Sequence, residues 1–239
     1  MAILPKILRR YAKNSSRVYL EQFVQQAAQS LQPGQRMLDA GAGDGAYQRF
    51  FCHVSYESAD FCQVDKAYAP MTYVCDLAAV PVESERYDLI LLTQVLEHLP
   101  NPQLVLTEML RLLKPNGTLW LSAPLFYEEH EVPYDFYRYT QFGFKQQLTQ
   151  AGFQVEQTQW LEGYYGTLAY QADLAVRSLP LNPRLYGGGW AGIGGSFAAL
   201  LLRPLLVVVS LLFSRLDLQY KYTAAGMCKN YALIARKIS

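Results

Sequence analysis

The chain has 239 residues, 51% of them hydrophobic and 17% charged, and a net charge of +1. That is apolar material for one large core, and the near-neutral balance disfavours a dedicated nucleic-acid binder, which carries a basic face. The four cysteines, Cys52, Cys62, Cys75 and Cys228, contain no C-x-x-C pair and read as free thiols, mostly buried, in a reduced cytoplasmic compartment.

Residues 1–34 open with Lys6, Arg9, Arg10, Lys13 and Arg17, no acid before Glu21, and Ile3, Leu4, Ile7, Leu8 and Tyr11 spaced among them. Two readings stand: a basic amphipathic segment on an anionic membrane surface, or a solvated helix packing one side on the domain. Leu20, Phe23, Val24, Ala27, Ala28 and Leu31 recur at helical spacing. Ser15 or Ser16 is the expected cap of that helix and Pro33-Gly34 its stop.

An apolar strand then runs through Met37-Leu38 into Asp39-Ala40-Gly41-Ala42-Gly43-Asp44-Gly45. Alternating glycines let a backbone turn sharply and approach a nucleotide-like ligand without Cβ collisions. Residues 46–51 are expected to start a helix whose free N–H groups face that ligand. The G-x-G-x-G spacing differs from the G-x-G-x-x-G of dinucleotide folds.

Four more strands follow: one ending on Asp60, Tyr73-Val74-Cys75 ending on Asp76-Leu77, Tyr87–Leu92 ending on Thr93-Gln94, and Gly117–Pro124. Asn101-Pro102 opens a helix and Thr140 caps another. Phe153–Trp160 alternates as a strand should, and Tyr231–Arg236 is the expected last strand. Strand and helix alternate over 35–160, which predicts a parallel sheet binding its ligand at the strands' carboxyl ends.

The series D-A-G-A-G-D-G, Y-E-S-A-D, C-D-L, Y-D-L-I-L-L-T-Q-V-L-E-H-L and L-K-P-N-G-T-L resembles the class I S-adenosylmethionine-dependent methyltransferases. The resemblance implies an α/β, doubly wound, Rossmann-like seven-stranded sheet whose final strand is antiparallel. It divides the chain into an N-terminal helical segment at 1–34, a cofactor-binding core at 35–160, an insertion at 161–229 and a final strand at 230–239. It further implies that Gly41, Ala42, Gly43 and Gly45 pass along the methionine and ribose of S-adenosylmethionine. Asp39 would organise the loop and receive the ammonium, Asp60 the ribose hydroxyls, Asp76 the adenine amino group beside the Leu77 backbone, and Gln94 would line the methyl-donor end. Each aspartate also has a plainer use as a turn cap.

The catalytic candidates are histidines. His98 follows the fourth strand and is either a base or a structural ring in its turn. The run from Phe126 to Thr140 holds His130, the better candidate base, with Asp135 as its orienter. H-x-x-P-x-D-F-Y-R-Y-T in this run resembles a bacterial, type 11-like branch of these methyltransferases. Tyr127, Tyr137 and Arg138 are candidates for holding a polar or anionic acceptor; the alternative is a loop network fixing the next helix. His130 with Glu129, Glu131 or Asp135 offers a single histidine, so no metal set is assigned.

In the resembled fold a short hairpin joins the last two strands, whereas here 161–229 intervene. Residues 196–213 are almost wholly apolar around Arg203-Pro204, and two short helices breaking at Pro204 are expected. Cover of the active site, a homodimer contact and peripheral contact with the inner face of a membrane are the three readings. The function expected is O-methylation of a small or lipid-linked acceptor. The competitors are a non-catalytic methyltransferase-like interaction module and a nicotinamide-dependent oxidoreductase.

Overall fold

The computed structural model describes residues 14–238, so the basic and apolar positions from Ile3 to Lys13 lie outside the described residues. The chain divides into two compact units, one of residues 19–161 with 230–238 and one, among the described residues, of 14–18 with 162–229.

The first unit is built on a seven-stranded sheet in the order β3-β2-β1-β4-β5-β7-β6. Its strands are β1 (Arg36–Ala40), β2 (Ser55–Asp60), β3 (Tyr73–Val74), β4 (Tyr87–Thr93), β5 (Leu113–Pro124), β6 (Phe153–Trp160) and β7 (Asn230–Lys237). The first five are parallel, and β7 runs antiparallel to both β5 and β6. This is the Rossmann-like methyltransferase sheet.

Buried hydrophobic runs explain the central strands. Leu89 and Leu91 of β4 join Met37, Trp120 and Ala232 in a core closed by Phe23, Val24, Ala27 and Ala28 of α1 (Ser15–Gln29). Ile90, Leu92, Leu38, Leu119 and Leu121 alternate onto the opposite face and are buried as deeply. A strand buried on both faces reads as continuous hydrophobic sequence rather than as alternation.

The helix caps divide. Thr140 accepts from the Gly143 N–H at the start of α3 (Gln141–Gln150), as expected. Pro102 occupies the first turn of α2 (Pro102–Leu112), but Asn101 makes no side-chain capping bond. Neither Ser15 nor Ser16 caps α1: Asn14 Oδ1 accepts from the Ser16 N–H at 3.1 Å, one position earlier than expected. Asparagine is as good a cap as serine, and Ser15 and Ser16 are buried within the first turn.

The second unit contains α4 (Tyr164–Ser178), a 3₁₀ turn at Pro183–Tyr186 and α5 (Gly189–Gln219). The two short helices expected to break at Pro204 are one continuous helix of 31 residues. Proline costs a helix about 3 kcal/mol, but α4 supports α5 on both sides of it. Before Pro204, Arg203 donates to the Leu179 carbonyl at the end of α4. After it, Ser210 Oγ donates to the Ala169 carbonyl at 2.8 Å and Phe213 stacks on Tyr165 at 5.8 Å. The helix is long and apolar enough to cross a membrane, and little of it is buried.

Candidate functional site

β1 ends at Ala40 and the chain turns through Gly41 (φ +80°) and Gly43 (φ +54°). A Cβ at Gly41 would fall 2.3 Å from Val95 Cγ2, so glycine alone lets this turn close against the segment after β4. At Gly43 nothing lies within 4 Å of where a Cβ would sit, so the loop face is open there. The Gly41 and Ala42 N–H groups donate to the Ala59 carbonyl at the end of β2, at 2.7 and 3.3 Å.

The helix expected at 46–51 is only a 3₁₀ turn at Gln48–Phe50. The bonds from Gln48 N to Gly45 O, Phe50 N to Tyr47 O and Phe51 N to Gln48 O all span three residues. Three residues per turn put Tyr47 and Phe50 on one face, where both pack on the core beside buried Phe51.

Asp60, 6% exposed, ends β2 and ties it to the loop. Its Oδ2 accepts from the Gly43 N–H at 3.1 Å and its Oδ1 from the Cys62 N–H at 3.0 Å. A carboxylate has about four acceptor positions, so two backbone bonds leave capacity for a diol. Asp39 is also buried, behind the loop, where its Oδ2 accepts from the Tyr56 hydroxyl at 2.8 Å. Burial pushes its pKa up to about 6 against the Tyr56 hydrogen bond, with Asp60 and Asp44 adding to the rise. Asp76 holds the Ala78 N–H at 2.9 Å, an Asx turn. Gln94 has φ +56°, uncommon for a residue with a side chain, and its Nε2 donates to Ser122 Oγ at 3.0 Å.

A cavity of about 520 Å³ opens at the carboxyl ends of the strands. Gly41, Asp60, Asp76, Leu77 and Gln94 line it, together with His98. Asp39, Ala42, Gly43, Gly45 and His130 are outside its lining. Among the lining residues that escaped the sequence reading are Phe61 and Tyr134, whose rings meet edge to face at 5.6 Å, and Lys66, whose Nζ donates to Glu131 Oε1 at 2.8 Å. An aromatic directly after the β2 acid was the available signal for Phe61. Cys75 lines the cavity too, half-buried after the two-residue edge strand β3. Of the four thiols only Cys228 is buried, and Cys52 is exposed, because these residues sit on loops rather than inside the apolar runs beside them.

The 125–140 segment folds over the end of β4 through its backbone. Glu97 O accepts from the Phe136 N–H at 2.8 Å, and the Tyr139 hydroxyl donates to Leu96 O at 3.2 Å. Arg138, expected to face an acceptor, is committed inside this loop instead. Its five N–H groups reach the carbonyls of Tyr127, Tyr137 and Glu128 and both oxygens of Asp135, the last at 2.6 and 2.7 Å. Asp135 is held well below the carboxylate range, at about 2, chiefly by Arg138. Tyr137 donates to Pro100 O at 3.1 Å, and neither it nor Tyr127 lines the cavity.

His98, which lines the cavity, meets His130 edge to face. His98 Nδ1 lies 2.5 Å from the Tyr134 carbonyl and its ring centroid 4.7 Å from that of His130. Burial lowers the pKa of His98. The His130 backbone N–H donates to Asp135 Oδ2 at 2.8 Å. Glu97, fully buried beside His98, is pushed up to about 8 by burial, which Arg138 partly opposes.

Residues 11–158 match the family described as methyltransferase domain. Ubiquinone biosynthesis O-methyltransferase of Photobacterium profundum is 30% identical over 106 residues, covering 38% of this chain and 44% of that protein. The chain's match thus spans less than half the length of that relative. The crystal structure of the [4+2]-cyclase SpnF shares the fold with a TM-score of 0.58 at 18% identity, covering 91% of this chain and 80% of that one. Phosphoethanolamine N-methyltransferase 2 of Haemonchus contortus, in complex with S-adenosyl-L-methionine, has a TM-score of 0.53 at 15% identity, covering 95% of this chain and 53% of that one. The chain belongs to the methyltransferase-domain family.

Proposed function

We propose that this enzyme methylates an oxygen of a small or lipid-linked acceptor, with the cofactor between Gly41, Asp60, Asp76 and Gln94 and the acceptor against His98. The carrying observation is one cavity lined by the strand-end acids Asp60 and Asp76 together with His98. Asp60 would hold the ribose diol through its spare lone pairs, and Asp76 and Leu77 the adenine edge. Asp39 would act from behind the loop rather than inside the cavity.

When bound, S-adenosylmethionine supplies a methyl group activated on a sulfonium. Transfer needs a nucleophile held close and in line, so positioning does most of the work. His98 is the favoured proton acceptor, because its Nδ1 faces the Tyr134 carbonyl and its Nε2 is left as the basic nitrogen. His130 supports its ring edge-on. The oxygen acceptor is favoured by the O-methyltransferase relative.

Lipid linkage, peripheral membrane contact and an inner-face cytoplasmic location are favoured by the exposed apolar side chains of α5, among them Leu200, Leu205, Val208 and Leu212. A homodimer through residues 196–213 is the competing use of the same surface. The test is a screen with methyl-labelled cofactor against phenols, quinone-like lipids and lipid-linked sugars. Label recovered as a methyl ether, and lost in His98→Ala with cofactor binding kept, supports the reading. Label on nitrogen or carbon overturns it.

A further inference from the structure

Glu97, His98 and His130 present a chemical imbalance. Glu97 is 0% exposed, and neither carboxylate oxygen has a hydrogen-bond partner. His98 Nε2 lies 3.8 Å from Glu97 Oε1. That nitrogen has no proton to offer in the neutral ring, because Nδ1 faces the Tyr134 carbonyl at 2.5 Å and carries the hydrogen there. His130 repeats the pattern, with Nδ1 3.2 Å from the Glu128 carbonyl and 3.3 Å from Asp135 Oδ2. Its Nε2 is therefore the nitrogen with the lone pair.

With Glu97 ionised, three acceptors converge with no donor among them, and either a proton on Glu97 or a bound cation relieves the clash. The two cations nearby are engaged elsewhere: Lys66 on Glu131, and Arg138 through all five of its N–H groups. Such an arrangement is costly unless a positive charge sits between the acceptors.

We propose that Glu97, His98 and His130 form a site for a divalent transition cation, zinc in the first instance, beside the cavity at His98. One ligand atom from each residue lies within 4.8 Å of the others. Tetrahedral zinc with these donors sets its ligands roughly 3.3 Å apart, so closing the set takes shifts on the order of 1 Å. Two imidazoles and one carboxylate are the ligand set of catalytic zinc sites, which keep a fourth position open. Ligating histidines donate their other N–H to a carbonyl or carboxylate, which is what Tyr134, Glu128 and Asp135 accept here.

His98 and Glu131 line the cavity, and Glu131 Oε2 stands 4.0 Å from His98 Nε2. The site stands on its own geometry.

The test titrates the full chain, stripped with chelator, with zinc followed by calorimetry and with cobalt followed by visible absorption, with neither S-adenosylmethionine nor acceptor added. One equivalent of zinc and a four-coordinate cobalt spectrum are expected. Glu97→Gln and His130→Ala should each weaken binding by at least ~100-fold, beyond the ~10–100-fold of losing an outer partner. His53→Ala, whose ring contacts the Ala28 carbonyl, should leave binding unchanged.

Retained S-adenosylmethionine binding shows that each variant is folded. Should a variant fail that check, ring-nitrogen NMR of the unaltered chain decides: zinc must shift the Nε2 signals of His98 and His130 and leave those of His53. No stoichiometric zinc binding, or binding indifferent to both substitutions, overturns the proposal and shows that protons alone balance the cluster. Because the readout involves no acceptor, that failure leaves the methyl-transfer reading intact, and the reverse holds too.

Discussion

The Tyr56 hydroxyl donates to Asp39 Oδ2 at 2.8 Å, across the β1–β2 pairing that sets Met37 opposite Tyr56 and Asp39 opposite Ser58. The two residues are diagonal neighbours on one face of the sheet, within reach of a long aromatic side chain. They give the acid behind the cofactor loop one hydroxyl partner and no cation.

A pH dependence follows. The folded pKa of Asp39, about 6, lies above its ordinary 3.8, so between these values the native state binds the extra proton. Its contribution is present below pH 3.8 and is lost as pH rises through 6. Urea unfolding at pH 4 and pH 7.5 should show Asp39→Asn gaining roughly 3 kcal/mol on the unaltered chain across that interval. A difference independent of pH would contradict the assignment. Tyr56→Phe should cost about 1–3 kcal/mol at either pH.

Asp60 both ties the Gly43 and Cys62 N–H groups and borders the cavity. Asp60→Ala should weaken S-adenosylmethionine binding by about 10–100-fold, the scale of hydrogen bonds to a charged group. Asp76→Ala should weaken it less, by about 5-fold, on the scale of one ordinary hydrogen bond. Calorimetry on both variants checks the order; the reverse order would move the ribose away from Asp60.

Arg138 and Asp135 are coupled through two bonds, with Asp135 nearly buried. Arg138→Lys cannot reproduce a planar five-donor fork. It should lower unfolding stability by about 2–4 kcal/mol, near the cost of breaking a buried pair. Protease cleavage should rise within residues 125–140. A variant as stable as the parent chain would return Arg138 to the role of an acceptor-binding group.

Leu200 and Leu205 on α5 are 54% and 58% exposed. The double change Leu200→Glu, Leu205→Glu should reduce co-sedimentation with anionic vesicles at least ~5-fold, since each buried leucine contributes about 1.5–3 kcal/mol. Cofactor affinity should be unchanged. Vesicle binding that survives the change excludes this surface as the membrane contact, and a loss of dimer in its place assigns the face to self-association.

The sheet was readable from local pattern because β1 and β4 are contiguous buried runs that end on residue types their positions demand. Met37-Leu38 into Asp39, Tyr87–Leu92 into Gln94 and the alternating Phe153–Trp160 carry that information in adjacent residues. Gly41, Asp60, Asp76, Leu77 and Gln94 were legible for the same reason, and all five line one cavity.

What sequence could not carry was decided by partners remote along the chain. Pro204 stays inside one helix because α4 holds both halves, a balance of tertiary contacts against a local penalty. Arg138 turns inward because Tyr127, Glu128 and Asp135 converge on it, and no spacing rule encodes five acceptors on one loop. His98 meets His130, 32 positions later, only because the 125–140 segment folds back over Glu97. The sequence by itself determined the strand order of the core and placed Asp60 and Asp76 at strand ends, since these follow from periodicity and turn chemistry, while the cofactor followed from the family resemblance. The tertiary structure alone decided which histidine reaches the cavity and which charges are already paired, since both depend on distances between residues far apart in the chain.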